Sequence, residues 1–331
     1  MATLRTLVHI DPDGDLWLRV GSGQSAVTYI VCSKTLARSS RFFKQLLYGE
    51  FAESKKNYIP EGNSNWTVVL PEDNPEAMNT VLRILHAKFD DIPETISVMD
   101  LYELTVLTDK YDLAYLLRPW AKGWAAHIAG INGSIPMRIW IAWELGYEDL
   151  FEKLVKHLVL NLNAIEIAEE KPWDDATLQP PGLYDFIQLA RFQRIFELLS
   201  GVTQLLESLA DAECRACRMQ SERCTASMLE TMTKSLERPE LLLWPLPNID
   251  EVLQSVASLG FGLYKMNIKS SGDNHVCDGA LYLRNHIRRT SRAKFVLPEA
   301  ISRHLQAQAK KTGLSNFRGV WVRHFQFDSL N

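Results

Sequence analysis

The sequence predicts an α+β domain at the N-terminus, in which a small mixed sheet packs with helices, followed by a mainly α-helical C-terminal region. Between Asp15 and Leu70, short segments alternate in polarity or are rich in β-branched and aromatic residues, as strands are. The stretch 130–136 contains two glycines and marks a boundary, and beyond it the apolar residues recur at helical spacing. We therefore place the first domain at 11–128 and the helical region at 134–331.

The overall composition is that of an ordinary soluble globular protein. Of the 331 residues, 46 % are hydrophobic and 23 % are charged. The formal net charge of −4 provides no general attraction for nucleic acid, so we do not expect nucleic acid as a partner. Residues 1–10 lack the features of a signal peptide, and no apolar run approaches the roughly 20 residues that span a bilayer. We expect a cytoplasmic or nuclear protein, or both, without a membrane association.

The first elements of the N-terminal domain form a predicted hairpin and two short helices. Asp15–Val20 places apolar residues at alternate positions, and Val27–Cys32 is β-branched and aromatic. The glycines of Gly21–Gly23 lie between these segments, which predicts an antiparallel hairpin. Ser33 and Ser40 are predicted to cap the two helices that follow. The second of these helices is expected to bury one apolar face, formed by Phe42, Phe43, Leu46 and Leu47.

A further strand and three helices complete the predicted domain. Trp66–Leu70 is typical of a strand, and Asn74 precedes a proline at the first position of a helix. Ser97 and Asp100 have the spacing of a capping box, which predicts a second helix start. Another helical pattern extends over 113–128.

The residues that connect these elements resemble the BTB/POZ interaction domain. The stretch Val31–Ser54 contains the leucine, paired serines and paired phenylalanines of that family and ends in a Gly-x-Phe-x-Glu-Ser sequence. Val69–Met78 and Leu107–Asp112 are similar to later parts of the family pattern, and Arg118–Trp124 resembles the version found in filamentous fungi. The resemblance implies that the first domain binds proteins, either a second copy of the chain in a homodimer or another protein.

Within the resemblance, Phe51 and Glu53 match the apolar-x-Glu pattern by which some BTB proteins hold a cullin scaffold. The resemblance implies that Phe51 acts as an apolar anchor and Glu53 as a polar contact. The alternative is that Phe51 completes the core after Gly49 and contacts no partner.

The five cysteines do not form a disulfide pattern, but four of them are part of a candidate metal set. Cys214, Cys217 and Cys224 are followed by His275 and Cys277, a spacing that can close around a structural zinc ion. On one continuous helix the three cysteines would instead share a stripe and act as small buried apolar groups. A redox role for Cys214 and Cys217 is the third alternative.

One basic patch is present in the C-terminal half. Its members are Arg284, Arg288, Arg289, Arg292 and Lys294. A solvated helix face explains such a patch, and nuclear import or contact with an acidic partner are the alternatives.

The sequence contains none of the motifs that indicate catalysis, such as a nucleophile elbow, a phosphate-binding loop or a zinc-protease helix. We therefore predict a non-enzymatic scaffold or adaptor that acts through the BTB/POZ-like domain. A substrate adaptor of a cullin-type ubiquitin ligase is the first alternative. A regulator associated with transcription or chromatin is the second.

Overall fold

The computed structural model describes residues 6–59, 64–131, 133–161, 177–210, 266–270, 273–277, 285–290 and 295–315, together with the single positions 226 and 230. The chain divides into two compact units. The first comprises Met1–Leu154, Asp175–Pro180 and Pro298–Asn331, and the second comprises Val155–Asp174 and Pro181–Leu297.

The first unit contains a four-stranded mixed sheet with the strand order β1-β3-β2-β4. Its strands are β1 (Thr6–His9), β2 (Leu16–Val20), β3 (Val27–Val31) and β4 (Thr67–Leu70). β2 and β3 pair antiparallel, and β2 pairs parallel with β4. The predicted hairpin and the predicted third strand are therefore confirmed.

Strand β1 was not expected from the sequence. It pairs parallel with β3 at the edge of the sheet, with Thr6 opposite Val27. None of its four residues is fully buried, so the strand lacks the alternation between a buried and an exposed face that identifies β2. Its conformation depends on pairing with β3 rather than on an apolar pattern of its own.

The first unit contains helices on both sides of β4 in the sequence. They are α1 (Ser33–Ser39), α2 (Arg41–Tyr48), α3 (Pro75–Leu85), α4 (Val98–Lys110), α5 (Arg118–Ala129), α6 (Ile135–Leu145) and, near the C-terminus, α9 (Glu299–Thr312). Helix α3 packs against β3. A 3-10 segment, Ala114–Leu117, connects α4 to α5. The α+β class and the mainly helical remainder agree with the prediction.

Three of the four predicted helix caps are confirmed. Ser40, Asn74 and Ser97 each accept a hydrogen bond from a backbone N–H three residues later. The prediction for Ser33 was wrong, because Cys32 occupies the N-cap position and Ser33 is the first helical residue. Ser33 is buried, and both its N–H and its hydroxyl donate to Asp15 at 2.8 Å.

Helix α6 belongs to the same compact unit as the sheet, although it lies in the sequence region predicted to be separate. Eight consecutive residues, from Arg138 to Leu145, are all buried. A helix that is buried on every side must be enclosed by other elements. Helix α9, which is more than 150 residues further along the chain, provides part of that enclosure by packing against α6.

Helix α7 (Glu148–Asn161) contains the position at which the two units divide. Its apolar residues are buried at the predicted helical spacing; they are Leu150, Phe151, Leu154, Val155, Leu158 and Val159. The second unit contains the long helix α8 (Leu183–Ala210) and an antiparallel strand pair, β5 (Met266–Ser270) and β6 (Asp273–Cys277). No helix within the described part of the chain is long and apolar enough to cross a membrane.

Candidate protein-interaction site

The loop after α2 carries the predicted contact residues Phe51 and Glu53. The Phe51 carbonyl accepts a hydrogen bond from the Ser54 N–H at 3.1 Å and another from Asn57 Nδ2 at 2.8 Å. The Asn57 N–H donates in turn to the Ser54 carbonyl at 3.0 Å. These bonds close the loop on itself, so its shape is set by its own backbone groups and by the Asn57 side chain.

Two further hydrogen bonds attach this loop to the body of the unit. The Lys55 N–H donates to the Leu47 carbonyl in α2 at 2.9 Å. The indole N–H of Trp66, whose side chain is buried just before β4, donates to the Glu53 carbonyl at 2.9 Å. The loop is therefore held to a helix and to the strand region, and little backbone ordering is left to be done when a partner binds.

A polar cluster beside the loop adds a third attachment. Lys55 Nζ lies 2.7 Å from Asp15 Oδ2, and the same carboxylate accepts two hydrogen bonds from Ser33. Burial acts to raise the pKa of Asp15, but the hydrogen bonds from Lys55 and Ser33 outweigh it and hold the pKa below its ordinary value. Tyr48 completes the cluster with its hydroxyl 2.6 Å from that of Ser33.

The loop presents its two predicted contact residues to solvent. Phe51 is 53 % exposed, and Glu53 is also exposed. Phe51 therefore does not complete the core, because a core aromatic of this unit such as Phe43 is 0 % exposed. An apolar ring held in solvent by a well-bonded loop is the arrangement from which binding anchors are made.

The same unit contains a basic cleft of about 640 Å³ that no sequence motif indicated. Its five cationic residues are Lys34, Arg38, Arg41, Lys44 and Lys311. They come from α1, α2 and α9, so the sequence separates them by up to 277 positions (311 minus 34). The i to i+4 spacing of Lys34 and Arg38 was a signal for a shared helix face, but nothing in the sequence placed α9 beside it.

The proposed zinc ligands fall largely outside the described residues. Cys214, Cys217 and Cys224 are not described, and the metal set therefore stays a prediction. His275 and Cys277 lie two positions apart on strand β6, in register with Ile268 and Met266 of β5. Among the residues that the structure does describe, no cluster of three or more potential metal ligands occurs.

The basic patch is described in part. Arg288 and Arg289 lie on the helical segment 285–290 and are exposed, which agrees with a solvated helix face. Arg284, Arg292 and Lys294 lie outside the described residues.

No protein-family model matches this chain, and no curated protein or solved structure matches it either. What the fold defines is an α+β unit with a small mixed sheet and a mostly helical remainder. The resemblance to the BTB/POZ family therefore depends on sequence alone, over Val31–Ser54, Val69–Met78, Leu107–Asp112 and Arg118–Trp124.

Proposed function

We propose that this chain is a non-enzymatic protein-interaction adaptor that docks partners through its first unit, in the manner of a BTB/POZ domain. The observation that carries the proposal is Phe51, an aromatic ring that is half exposed on a loop held by its own hydrogen bonds and by bonds to α2 and Trp66. Binding energy in protein interfaces is concentrated in a few such aromatic anchors. Because the loop is already ordered, little of that energy would be lost on binding.

The order of the elements supports the same proposal. The hairpin β2-β3 is followed by two short helices, a strand and further helices, which is the order that the resemblance implies. Phe51 lies directly after the second short helix, in the Gly-x-Phe-x-Glu-Ser sequence on which the resemblance depends. The proposed docking surface and the family-like residues thus coincide.

A substrate adaptor of a cullin-type ubiquitin ligase is the second candidate. One observation favours it: Phe51 and Glu53, the two residues of the apolar-x-Glu pattern, are both exposed. A cullin scaffold could therefore meet an apolar anchor and a carboxylate on the same loop. Under this proposal a substrate would bind elsewhere on the chain.

The test compares Phe51→Ala with a matched control, Phe89→Ala. Phe89 is 54 % exposed and lies at the start of the 3-10 segment Phe89–Asp91, away from the sequence of the Phe51 loop. Full-length wild-type and variant proteins are used as bait in quantitative affinity capture from the source cells, and each recovered partner is then purified and its dissociation constant measured. We expect Phe51→Ala to weaken a direct partner by about tenfold or more, since loss of an anchor costs about 1.4–2 kcal/mol.

The proposal is overturned if every purified partner binds Phe51→Ala as tightly as it binds wild type. It is also overturned if Phe89→Ala weakens each partner equally, because the effect would then not belong to the loop.

Purified cullin N-terminal domains, titrated against the same three proteins, test the second candidate. A native mass spectrum of the full chain with and without a chelator reports the predicted homodimer and the predicted zinc in one measurement.

A further inference from the structure

We propose that the basic cleft of the first unit is a second docking site, which binds an acidic peptide segment of a protein partner. The cleft has a volume of about 640 Å³, within the range of pockets that bind ligands. It is lined by five cationic side chains and by one carboxylate, that of Asp112. The proposal does not depend on Phe51, which does not line the cleft.

Within the described part of the chain, most of the positive charge in the cleft has no carboxylate paired with it. Lys311 lies 3.2 Å from Asp112 and forms an ion pair with it. The other four cations, Lys34, Arg38, Arg41 and Lys44, are exposed, and no described carboxylate lies within ion-pairing distance of them. The cleft is therefore a local concentration of unpaired positive charge on a chain whose net charge is −4.

The helices themselves bring these charges together. Lys34 and Arg38 are four residues apart on α1, and Arg41 and Lys44 are three residues apart on α2, so the members of each pair lie on one helix face. Like charges at such spacings destabilise a helix slightly. An anionic ligand would remove this repulsion, which gives it a direct energetic reason to bind.

The aromatic walls of the cleft favour a peptide over a simple inorganic anion. Tyr48 is 38 % exposed and Tyr115 is 42 % exposed, so each offers ring surface to a ligand. Both rings are held in place: the Tyr115 hydroxyl donates to the Ser39 carbonyl at 2.8 Å, and the Tyr48 hydroxyl lies 2.6 Å from the Ser33 hydroxyl. A peptide with several carboxylates and one apolar residue matches both the charged and the aromatic parts of the cleft.

A long polyanion matches the cleft less well than a peptide does. Nucleic acid binding requires many phosphate contacts spread along a backbone. The cleft holds only five cations, and the chain as a whole carries a net charge of −4. A short acidic segment can place its carboxylates within the cleft without approaching the remaining acidic surface.

The experiment is a fluorescence-anisotropy titration of the full-length protein with a labelled heptapeptide, Glu-Asp-Glu-Leu-Glu-Asp-Glu. The neutral peptide Gln-Asn-Gln-Leu-Gln-Asn-Gln serves as the ligand control. Arg38→Glu is compared with Lys310→Glu, which changes the charge equally and neighbours Lys311 on α9 but does not line the cleft. A second variant, Lys44→Glu, repeats the test from α2.

We expect saturable binding of the acidic peptide, at least tenfold weaker binding by Arg38→Glu and Lys44→Glu, and a less than twofold change for Lys310→Glu. Phe51→Ala should bind the peptide as wild type does, so the two proposals fail separately. The inference is overturned if the neutral peptide binds equally well or if Lys310→Glu weakens binding as much as Arg38→Glu. It is also overturned if inorganic phosphate or a single-stranded oligonucleotide of equal charge competes more strongly than unlabelled peptide. Circular dichroism confirms that each variant is folded.

Discussion

Two stacked ring pairs hold helices together in the first unit, and they differ in their response to protons. Phe43 of α2 stacks on Tyr111, just after α4, with ring centroids 4.5 Å apart and planes 9° apart. Trp143 of α6 stacks on His304 of α9 with centroids 3.6 Å apart and planes 6° apart. The geometry is similar, but the first pair joins a phenyl ring to a phenol, whereas the second contains an imidazole.

In the first stack the Tyr111 hydroxyl keeps its proton near neutral pH. Phe43 and Tyr111 are both 0 % exposed, and the Tyr111 hydroxyl donates to the carboxylate of Asp73. Lys110 Nζ lies 2.6 Å from the same carboxylate. Burial, followed by the bond to Asp73, raises the pKa of Tyr111 above its ordinary value, so this hydroxyl keeps its proton.

The second stack lies beside a buried carboxyl group that does change its charge state. Glu144 is 1 % exposed, and Gln308 Nε2 lies 3.0 and 3.2 Å from its two oxygens. Burial, with the nearby Asp109 charge, raises the pKa of Glu144 to about 8. Two stacks of similar geometry can therefore differ in how their stability depends on pH, because the neighbouring titratable group decides that dependence.

The largest expected effect is the loss of the apolar stack. Phe43→Ala removes a fully buried ring, and we expect the free energy of unfolding to decrease by about 3–5 kcal/mol. Chemical denaturation measures this decrease, and it should have the same size at pH 7 and pH 9. The matched control is Phe42→Ala, because Phe42 is the adjacent residue but is 43 % exposed. The prediction from the sequence that Phe42 is a core residue was therefore wrong. Equal losses in the two variants would contradict the assignment of Phe43 as the core member of the pair.

The next effect is the pH dependence of the free energy of unfolding that Glu144 causes beside the second stack. Folded Glu144 keeps its proton up to about pH 8, whereas an unfolded glutamate loses it near 4.5. The folded chain therefore binds more protons between these values, and the free energy of unfolding falls as the pH rises, by a few kcal/mol at most. The stabilisation is complete below pH 4.5 and is lost as the pH passes through about 8.

His304 changes the lower part of this profile. Burial, with the nearby Lys311 charge, lowers its pKa from the ordinary 6.5, so around that pH the unfolded chain binds more protons at this position. This contribution rises with pH and opposes that of Glu144. The window from pH 7 to 9 therefore separates the contribution of Glu144 from that of His304. In this window Glu144→Gln should flatten the decrease measured for wild type, and an unchanged slope would show that another group is responsible.

A smaller effect is expected from the neutral hydrogen bond in the same interface. The Thr312 hydroxyl, in a residue that is 1 % exposed, donates to the Leu145 carbonyl at 2.6 Å and so connects α9 to α6. Thr312→Val keeps the shape and should decrease the free energy of unfolding by about 1 kcal/mol, without a pH dependence. Thr80→Val is the control, because the Thr80 hydroxyl is exposed and bonds within its own helix. A loss that varied between pH 7 and 9 would indicate coupling to Glu144.

The candidate docking loop illustrates how far the sequence alone could go. The sequence identified Phe51 and Glu53 through a short pattern and left open whether Phe51 is buried. The exposure of Phe51 depends on two hydrogen bonds that hold the loop. One comes from Trp66, just before β4, and the other goes to Leu47 in α2. The spacing of Lys34 and Arg38 indicated a shared basic face, but the cleft itself could not be predicted, because the sequence does not show that Lys311 lies beside α1 and α2.

The sequence by itself determined the local elements: the hairpin β2-β3, the helix starts at Ser40, Asn74 and Ser97, and the buried face of α7. Each depends on residues a few positions apart, whose period and capping groups can be read directly. Only the tertiary structure decided that Ser33 bonds to Asp15, that α9 covers Glu144, and that five cations share one cleft. The physical reason is that burial and electrostatic environment arise from packing between distant segments, such as positions 144 and 308, and no local pattern contains that information.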